Sequence, residues 1–411
     1  MQFNKHTLQR ILFFSGAVSL LIVYLLSWVD VIRDPQQRTA SDFMAFYAAG
    51  RSMLEHGSAA AYDLTYLKTN EEKVLGFQIA DRDINPFVHP PFILPILWSI
   101  AHFEYVPAFY LWIVVMLLLC VLCAHMTLKL IAESNDLNRV ILWTGVFLFF
   151  PLYIGLVNGQ DSALLLLGCM IWYYGLTQNS SRTAGLGLAL TTIRPQIALV
   201  LAIPFLFNRS HRKVWWWFCL GALILAVASI LFVGWDGVRN FLNILSVSAS
   251  GEGYKINEIA MVNLIGLTKR LMPNLDATVI RTIGWVVALF GLISLCVLWW
   301  KSPSIQDTFI SLAVILAAFT SAHLHYHDLA ILIIPILVLI RKLTTAQMDF
   351  SKFTLLIPFG VSLLFLFTYS IPQLTYLVIY LVELALLISS WLINRRYETN
   401  PSTVYKKIGE P

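Results

Sequence analysis

Long apolar runs alternate with short polar breaks along almost the whole chain. Twelve segments read as membrane-spanning helices: 11–29, 90–103, 106–128, 140–156, 162–176, 184–207, 214–233, 278–300, 305–322, 329–340, 353–369 and 374–393. Three of them, 90–103, 162–176 and 329–340, fall short of the roughly 17 residues that a straight crossing needs. They read as half-helices, or as helices whose ends continue into polar residues lining a cavity. The first run follows Lys5 and Arg10 as a signal peptide would. It is 19 residues long, however, and no small-residue cleavage site closes it, so it reads as the first span. The pattern predicts an all-α polytopic membrane protein, a single integral-membrane domain over 1–411 with about 12 transmembrane helices. Polar stretches define a first long loop at 30–89, a second at 234–277 and a tail at 394–411. The two halves share no sequence similarity of the kind that inverted-repeat transporters show.

Composition excludes the other classes. Of 411 residues 58% are hydrophobic and 12% charged, against roughly 25% charged in a soluble protein. Too few polar side chains remain to cover a globule, so a soluble enzyme, a disordered chain and a nucleic-acid binder all drop out. Cys120, Cys123, Cys169, Cys219 and Cys296 lie in apolar stretches, where they pack rather than staple a loop. The net charge of +5 needs no anionic partner, because Lys and Arg concentrate in loops that stay inside. With the N-terminus inside, 208–213, 341–352 and 394–411 fall inside with their Arg and Lys residues. The loops 129–139 and 177–183, holding Lys129, Arg139 and Arg182, fall outside. Both long loops then face outward, together with the stretch His323-Leu324-His325-Tyr326-His327-Asp328. Polar chemistry is expected on that outer face of the cell (inner) membrane.

In the first long loop, Ser41 to Gly57 reads as one amphipathic helix, Ser41 at its N-cap and Gly57 just past its end. Arg51 and Glu55 stand four apart. Such a helix is expected to lie on the membrane surface with its aromatic side, including Phe43, Phe46 and Tyr47, turned down. Asp42 falls in its first turn. It serves there either as a capping carboxylate or as a base at the headgroup level. Asp81-Arg82-Asp83 imitates the Asp-x-Asp of metal-dependent transferases, but that motif works inside a nucleotide-binding domain, so a solvated turn is expected.

Arg194 interrupts the apolar run 184–207 and is followed by Pro195 and Gln196. A charge at that depth is a functional-site hypothesis by default. Pro195 opens the helix there, and a guanidinium beside the opening either grips phosphate oxygens or forms a buried ion pair with Asp161 or Asp328. Asn158-Gly159-Gln160-Asp161 reads as a tight turn from which Gln160 can reach a polar headgroup. In the His stretch only His323 and His327 would share a helical face, so a metal lacks a third ligand, and histidines donating to a phosphate fit better.

Taken in order, these residues resemble glycosyltransferase family 87, the polyprenol-phosphate-mannose-dependent mannosyltransferases of the GT-C class. The likeness runs through Ser41-Asp42-Phe43 with Tyr47-Ala48-Ala49, Gly57, Tyr62-Asp63, His89-Pro90-Pro91, Gly159-Gln160, Arg194-Pro195-Gln196 and His323-x-His325-Tyr326-x-Asp328. It implies a GT-C fold opening to the periplasm or exterior, a sugar carried on polyprenyl phosphate, and inversion at the anomeric carbon. A hydroxyl acceptor on a glycolipid or glycan is expected, with no cofactor. The family's base corresponds to Asp42. Arg194 stands where the family often has Lys, Ser162 where it often has Asn, and Ala322 and His327 where Pro and Tyr are common. The resulting expectation has Asp42 as base, Arg194, His323 and His325 on the donor phosphate, and Gln160, Tyr47 and Asp328 contacting substrate, with no metal. A lipid-linked-saccharide flippase or polymer ligase is the alternative, and a non-catalytic scaffold the third reading.

Overall fold

The computed structural model describes residues 5–131, 135–250, 258–302, 307–345 and 351–399, and among them the chain is all helix, 3₁₀ turn and loop. The apolar runs fold as helices because their side chains supply no alternative to intrahelical hydrogen bonding, and lipid tolerates no unpaired backbone. Among the described residues, five helices are long and apolar enough to cross a membrane: Thr7–Arg33, Tyr105–Leu130, Arg212–Val247, Ala277–Lys301 and Pro372–Leu392. A sixth passes the same test as the pair Asp136–Phe147 and Phe150–Val157, bent by 44°. Shorter apolar helices, among them Ser162–Thr177, Asp307–Thr320 and Ile357–Tyr369, lie between them.

Two of the expected spans do not cross. Segment 90–103 holds a 3₁₀ turn at Pro91–Ile93 and the seven-residue helix Leu94–Ile100, together about 15 Å of rise. Both its flanks stay on one side: His89 sits against Asp161, and Tyr105 donates to the Arg38 carbonyl. Segment 184–207 is not one interrupted span but a hairpin. Helix Ser181–Leu190 ends in a 3₁₀ turn at Thr191–Ile193, Arg194 takes extended backbone, and Pro195 opens a new helix that heads back. The return is visible at its ends, where Arg182 lies 5.4 Å over the Trp217 ring and Asn208 donates to the Trp299 and Ser302 carbonyls. Proline was expected to open this helix; with no N–H to give, it starts the second arm instead.

These two changes compensate in register but move two loops. Lys129, Leu130 and Ile131 line a cleft of about 380 Å³ together with Thr177, Gln178, Arg341 and Thr344. Residues 129–131 and 177–178 therefore lie on the same face as Arg341 and Thr344, and Arg182 over Trp217 places 208–213 there too, not opposite them. Among the described residues, Lys129 and Arg182 thus share one face with Arg212, Lys213 and Arg341.

The opposite face carries the two long loops. Helix Phe43–His56 forms as expected, closed by Gly57 in the left-handed region (φ 91°) and braced by Arg51–Glu55 at 3.1 Å. Its setting differs from the expectation. Every residue from Phe43 to Gly50 is buried, so it is an internal wall and not a surface helix. Phe43 packs on Tyr105, Phe109 and Trp112, and Phe46 on Phe87 and His89. Ser41 does not cap it; the Ser41 hydroxyl donates to the Arg38 carbonyl at 2.6 Å. In the second long loop, Gly234 (φ 68°) breaks the helix Arg212–Ser250 where the span was expected to end. The helix then runs on, with Phe241 against Tyr62 at 5.3 Å. Residues 251–257, and the tail from residue 400 with Lys406 and Lys407, lie outside the described residues.

Candidate active site

The turn Asn158-Gly159-Gln160-Asp161 ties the site together. Gly159 adopts φ 66°, and its carbonyl accepts the Trp112 indole N–H at 2.8 Å. A Cβ added there would meet the Phe43 Cβ at 2.6 Å. That close approach lets the Asn158 carbonyl accept the first N–H of the Phe43–His56 helix at 3.3 Å. Replacing Gly159 with alanine adds both a clash and an unfavourable backbone, so about 2 kcal/mol of stability should be lost, measured as a lowered thermal midpoint in detergent. An unchanged midpoint would show that the turn and the helix can separate freely.

From this turn two consecutive side chains diverge. Gln160 donates from Nε2 to Asp42 Oδ2 at 2.8 Å. Asp42 occupies the N-cap position, yet its carboxylate makes no capping bond; it is half-buried, and Gln160 holds it. The Gln160 carbonyl oxygen is buried without a hydrogen-bond partner. Asp161, fully buried, turns the other way and receives Arg194 Nη2 at 2.8 Å.

Arg194 sits at the apex of the hairpin, 7% exposed. Its Nε lies 3.3 Å from Asp328, and its Nη1 reaches the Ile193 carbonyl at 3.4 Å. Asp161 thus accepts hydrogen bonds from it and Asp328 pairs with it by charge, which is the ion pair the sequence left open as one of two readings, here made with both partners. His89 closes the cluster, with Nδ1 2.9 Å from Asp161 Oδ2 and 3.0 Å from Arg194 Nη1.

The His stretch is not an α-helix. Residues 321–325 are extended and bent, and a 3₁₀ turn follows at Tyr326–Leu332. Alternate histidines, expected to point apart, therefore line up, with ring centroids 4.6 Å apart for His323–His325 and 5.9 Å for His325–His327. The second long loop holds this segment in place: Val262 N–H donates to the Leu324 carbonyl and Asn263 to the Ser321 carbonyl, while Gln196 donates to the His323 carbonyl. Burial holds both His323 and His325 below the ordinary imidazole range, helped by neighbouring imidazoles and by Arg194, so both are neutral at pH 7. The Asp42 and Asp328 charges pull His325 the other way, which places Asp42 within electrostatic reach of it.

Tyr47 lies apart from these groups. It is buried, and its hydroxyl donates to the Phe103 carbonyl at 3.1 Å. Asp81-Arg82-Asp83 forms an exposed 3₁₀ turn in which Asp81 pairs with Lys68 at 2.7 Å. Among the described residues no three His, Cys, Asp or Glu side chains converge as metal ligands do. His89 was not singled out from the sequence as a site residue, because a lone histidine before two prolines carries no spacing signal.

The fold and the site define a polytopic membrane protein with a charged cluster on the face opposite its basic loops. The chain matches glycosyltransferase family 87 over residues 87–325, more than half of its length, and belongs to that family. It is therefore a membrane-embedded glycosyltransferase that takes a sugar donor and a glycan acceptor. No curated protein matches it. The matched stretch contains His89, Gln160, Asp161, Arg194, His323 and His325; Asp42, Tyr47 and Asp328 lie outside it.

Proposed function

We propose that the protein is an inverting transferase of the GT-C class that moves a sugar, mannose on the family's pattern, from a polyprenyl-phosphate donor to a hydroxyl of a glycolipid or glycan. The site faces the periplasm or exterior of the cell membrane, with the basic loops inside. The observation that carries this reading is the state of Asp42. A carboxylate at a helix start that does not cap it, is partly open and is aimed by one amide is arranged to accept a proton.

Asp42 takes the proton of the acceptor hydroxyl while that oxygen bonds to the anomeric carbon. The bond from that carbon to the phosphate oxygen breaks, and its electron pair leaves with the lipid phosphate. The developing charge is met by N–H groups of neutral His323 and His325. Arg194, clamped between Asp161 and Asp328, contributes its field and holds both carboxylates away from the phosphate. Gln160 orients Asp42, Asp328 supports the His segment from behind, and Tyr47 supports the wall through the Phe103 carbonyl.

The test is to reconstitute purified protein in liposomes with radiolabelled polyprenyl-phosphate mannose and a panel of glycoside acceptors. Label moving into the acceptor supports the reading. Label that changes leaflet and stays on its lipid would establish the flippase instead.

A further inference from the structure

Beyond the stretch matched to the family, helix Ile357–Tyr369 brings its last residue to the site face. Tyr369 is 44% exposed, although its ring packs on two others. Tyr326 meets it at 5.1 Å and 72°, and Phe150 at 5.4 Å and 80°. Neither neighbour stacks in parallel on it. Tyr326 is the residue between His325 and His327, is 8% exposed, and has a buried hydroxyl with no hydrogen-bond partner. The Asp42 carboxylate is near enough to act electrostatically on the Tyr369 hydroxyl.

An open aromatic ring with a polar tip, packed on a tyrosine whose buried hydroxyl lacks a partner, suits a ligand that is apolar on one side and hydroxylated at its edge. A sugar ring has that shape: its C–H face lies on the aromatic surface and its hydroxyls reach polar tips. A hydrocarbon chain would leave the buried Tyr326 hydroxyl unsatisfied, and such a group has a substantial desolvation penalty. Tyr369 also stands at the end of its helix, at the level of the loops and not in the apolar middle.

Resting on the transfer reading above, we propose that Tyr369 is an acceptor-binding residue and that the acceptor is a saccharide, its ring packed on Tyr369, one hydroxyl received by Tyr326 and another presented to Asp42. A protein hydroxyl or a free polyprenol would have no ring to place there.

The experiment uses the full-length protein in detergent with octyl α-D-mannopyranoside, octyl β-D-glucopyranoside and octyl β-D-galactopyranoside. Saturation-transfer NMR reads glycoside binding without any donor, and labelled polyprenyl-phosphate mannose reads transfer. Tyr369→Ala is expected to raise the acceptor KM about tenfold, the equivalent of about 1.4 kcal/mol, and to weaken the NMR signal in parallel. Tyr369→Phe, which keeps the ring, should stay within about threefold of the parent, as an aromatic contact predicts. Trp235→Ala, an exposed aromatic elsewhere, controls for general surface effects. An acceptor KM unmoved by Tyr369→Ala, a rise confined to the donor KM, or no glycoside binding to the parent protein would each overturn the proposal. Tyr369-dependent binding without any transfer would instead sink the transferase reading and leave the saccharide site standing.

Discussion

Asp42→Asn removes glycosyl transfer while leaving the protein folded. The loss of a positioned base is worth about 10²–10⁴-fold in rate, and turnover should fall at least that far. Asparagine keeps the shape of the side chain, and its carbonyl still accepts the Gln160 amide that Asp42 accepts at 2.8 Å. Because Asp42 makes no capping bond to the helix it precedes and asparagine keeps the Gln160 contact, stability should change by no more than about 1 kcal/mol, the size of one hydrogen bond. Donor affinity should also persist. The measurement pairs single-turnover transfer with a thermal midpoint in detergent. Near-normal turnover in Asp42→Asn would remove this residue as the base, and a large drop in the midpoint would return it to the structural role of a cap.

Arg194→Ala has the opposite signature. It leaves Asp161 and Asp328, 0% and 1% exposed, facing each other's charge with no guanidinium between them. Breaking a buried pair in this way is worth about 3–5 kcal/mol of destabilisation. The variant should therefore unfold many degrees lower or fail to accumulate. Arg194→Lys should recover only part of the loss, since an ammonium is a point donor and cannot serve Asp161 from one nitrogen and Asp328 from another. Adding Asp161→Asn and Asp328→Asn to Arg194→Ala should restore stability, because the uncompensated charges are then gone. A stable Arg194→Ala that merely fails to bind donor would make the arginine a direct phosphate ligand and the carboxylates incidental to it.

Several features of the site are written locally and were readable from the chain. The helix after Asp42, the glycine that ends it and the Arg51–Glu55 pair follow from residues within a few positions of one another. The depth of Arg194 in an apolar run marks it as costly and therefore worth a reason. What could not be read is the partner of each group. Gln160 meets Asp42 across 118 positions, and Arg194 meets both Asp161 and Asp328. The histidines were judged on helical spacing, and the 3₁₀ and extended backbone around them places their rings side by side instead.

Hydropathy along the chain establishes an all-helical membrane protein, since apolar runs must close their hydrogen bonds internally whatever their neighbours. It carries no direction, however. A run of 14 or 24 residues is equally apolar whether it crosses, lies short or turns back, as the segments 90–103 and 184–207 do. Packing settles that: Gly50 fits against Leu97, and Gly185 against Trp217 and Phe218. Packing also turns the Asp42 carboxylate to Gln160 across the contact that Gly159 permits, while the Met44 and Ala45 N–H groups that a cap would receive are bonded to the Ser41 and Asp42 carbonyls.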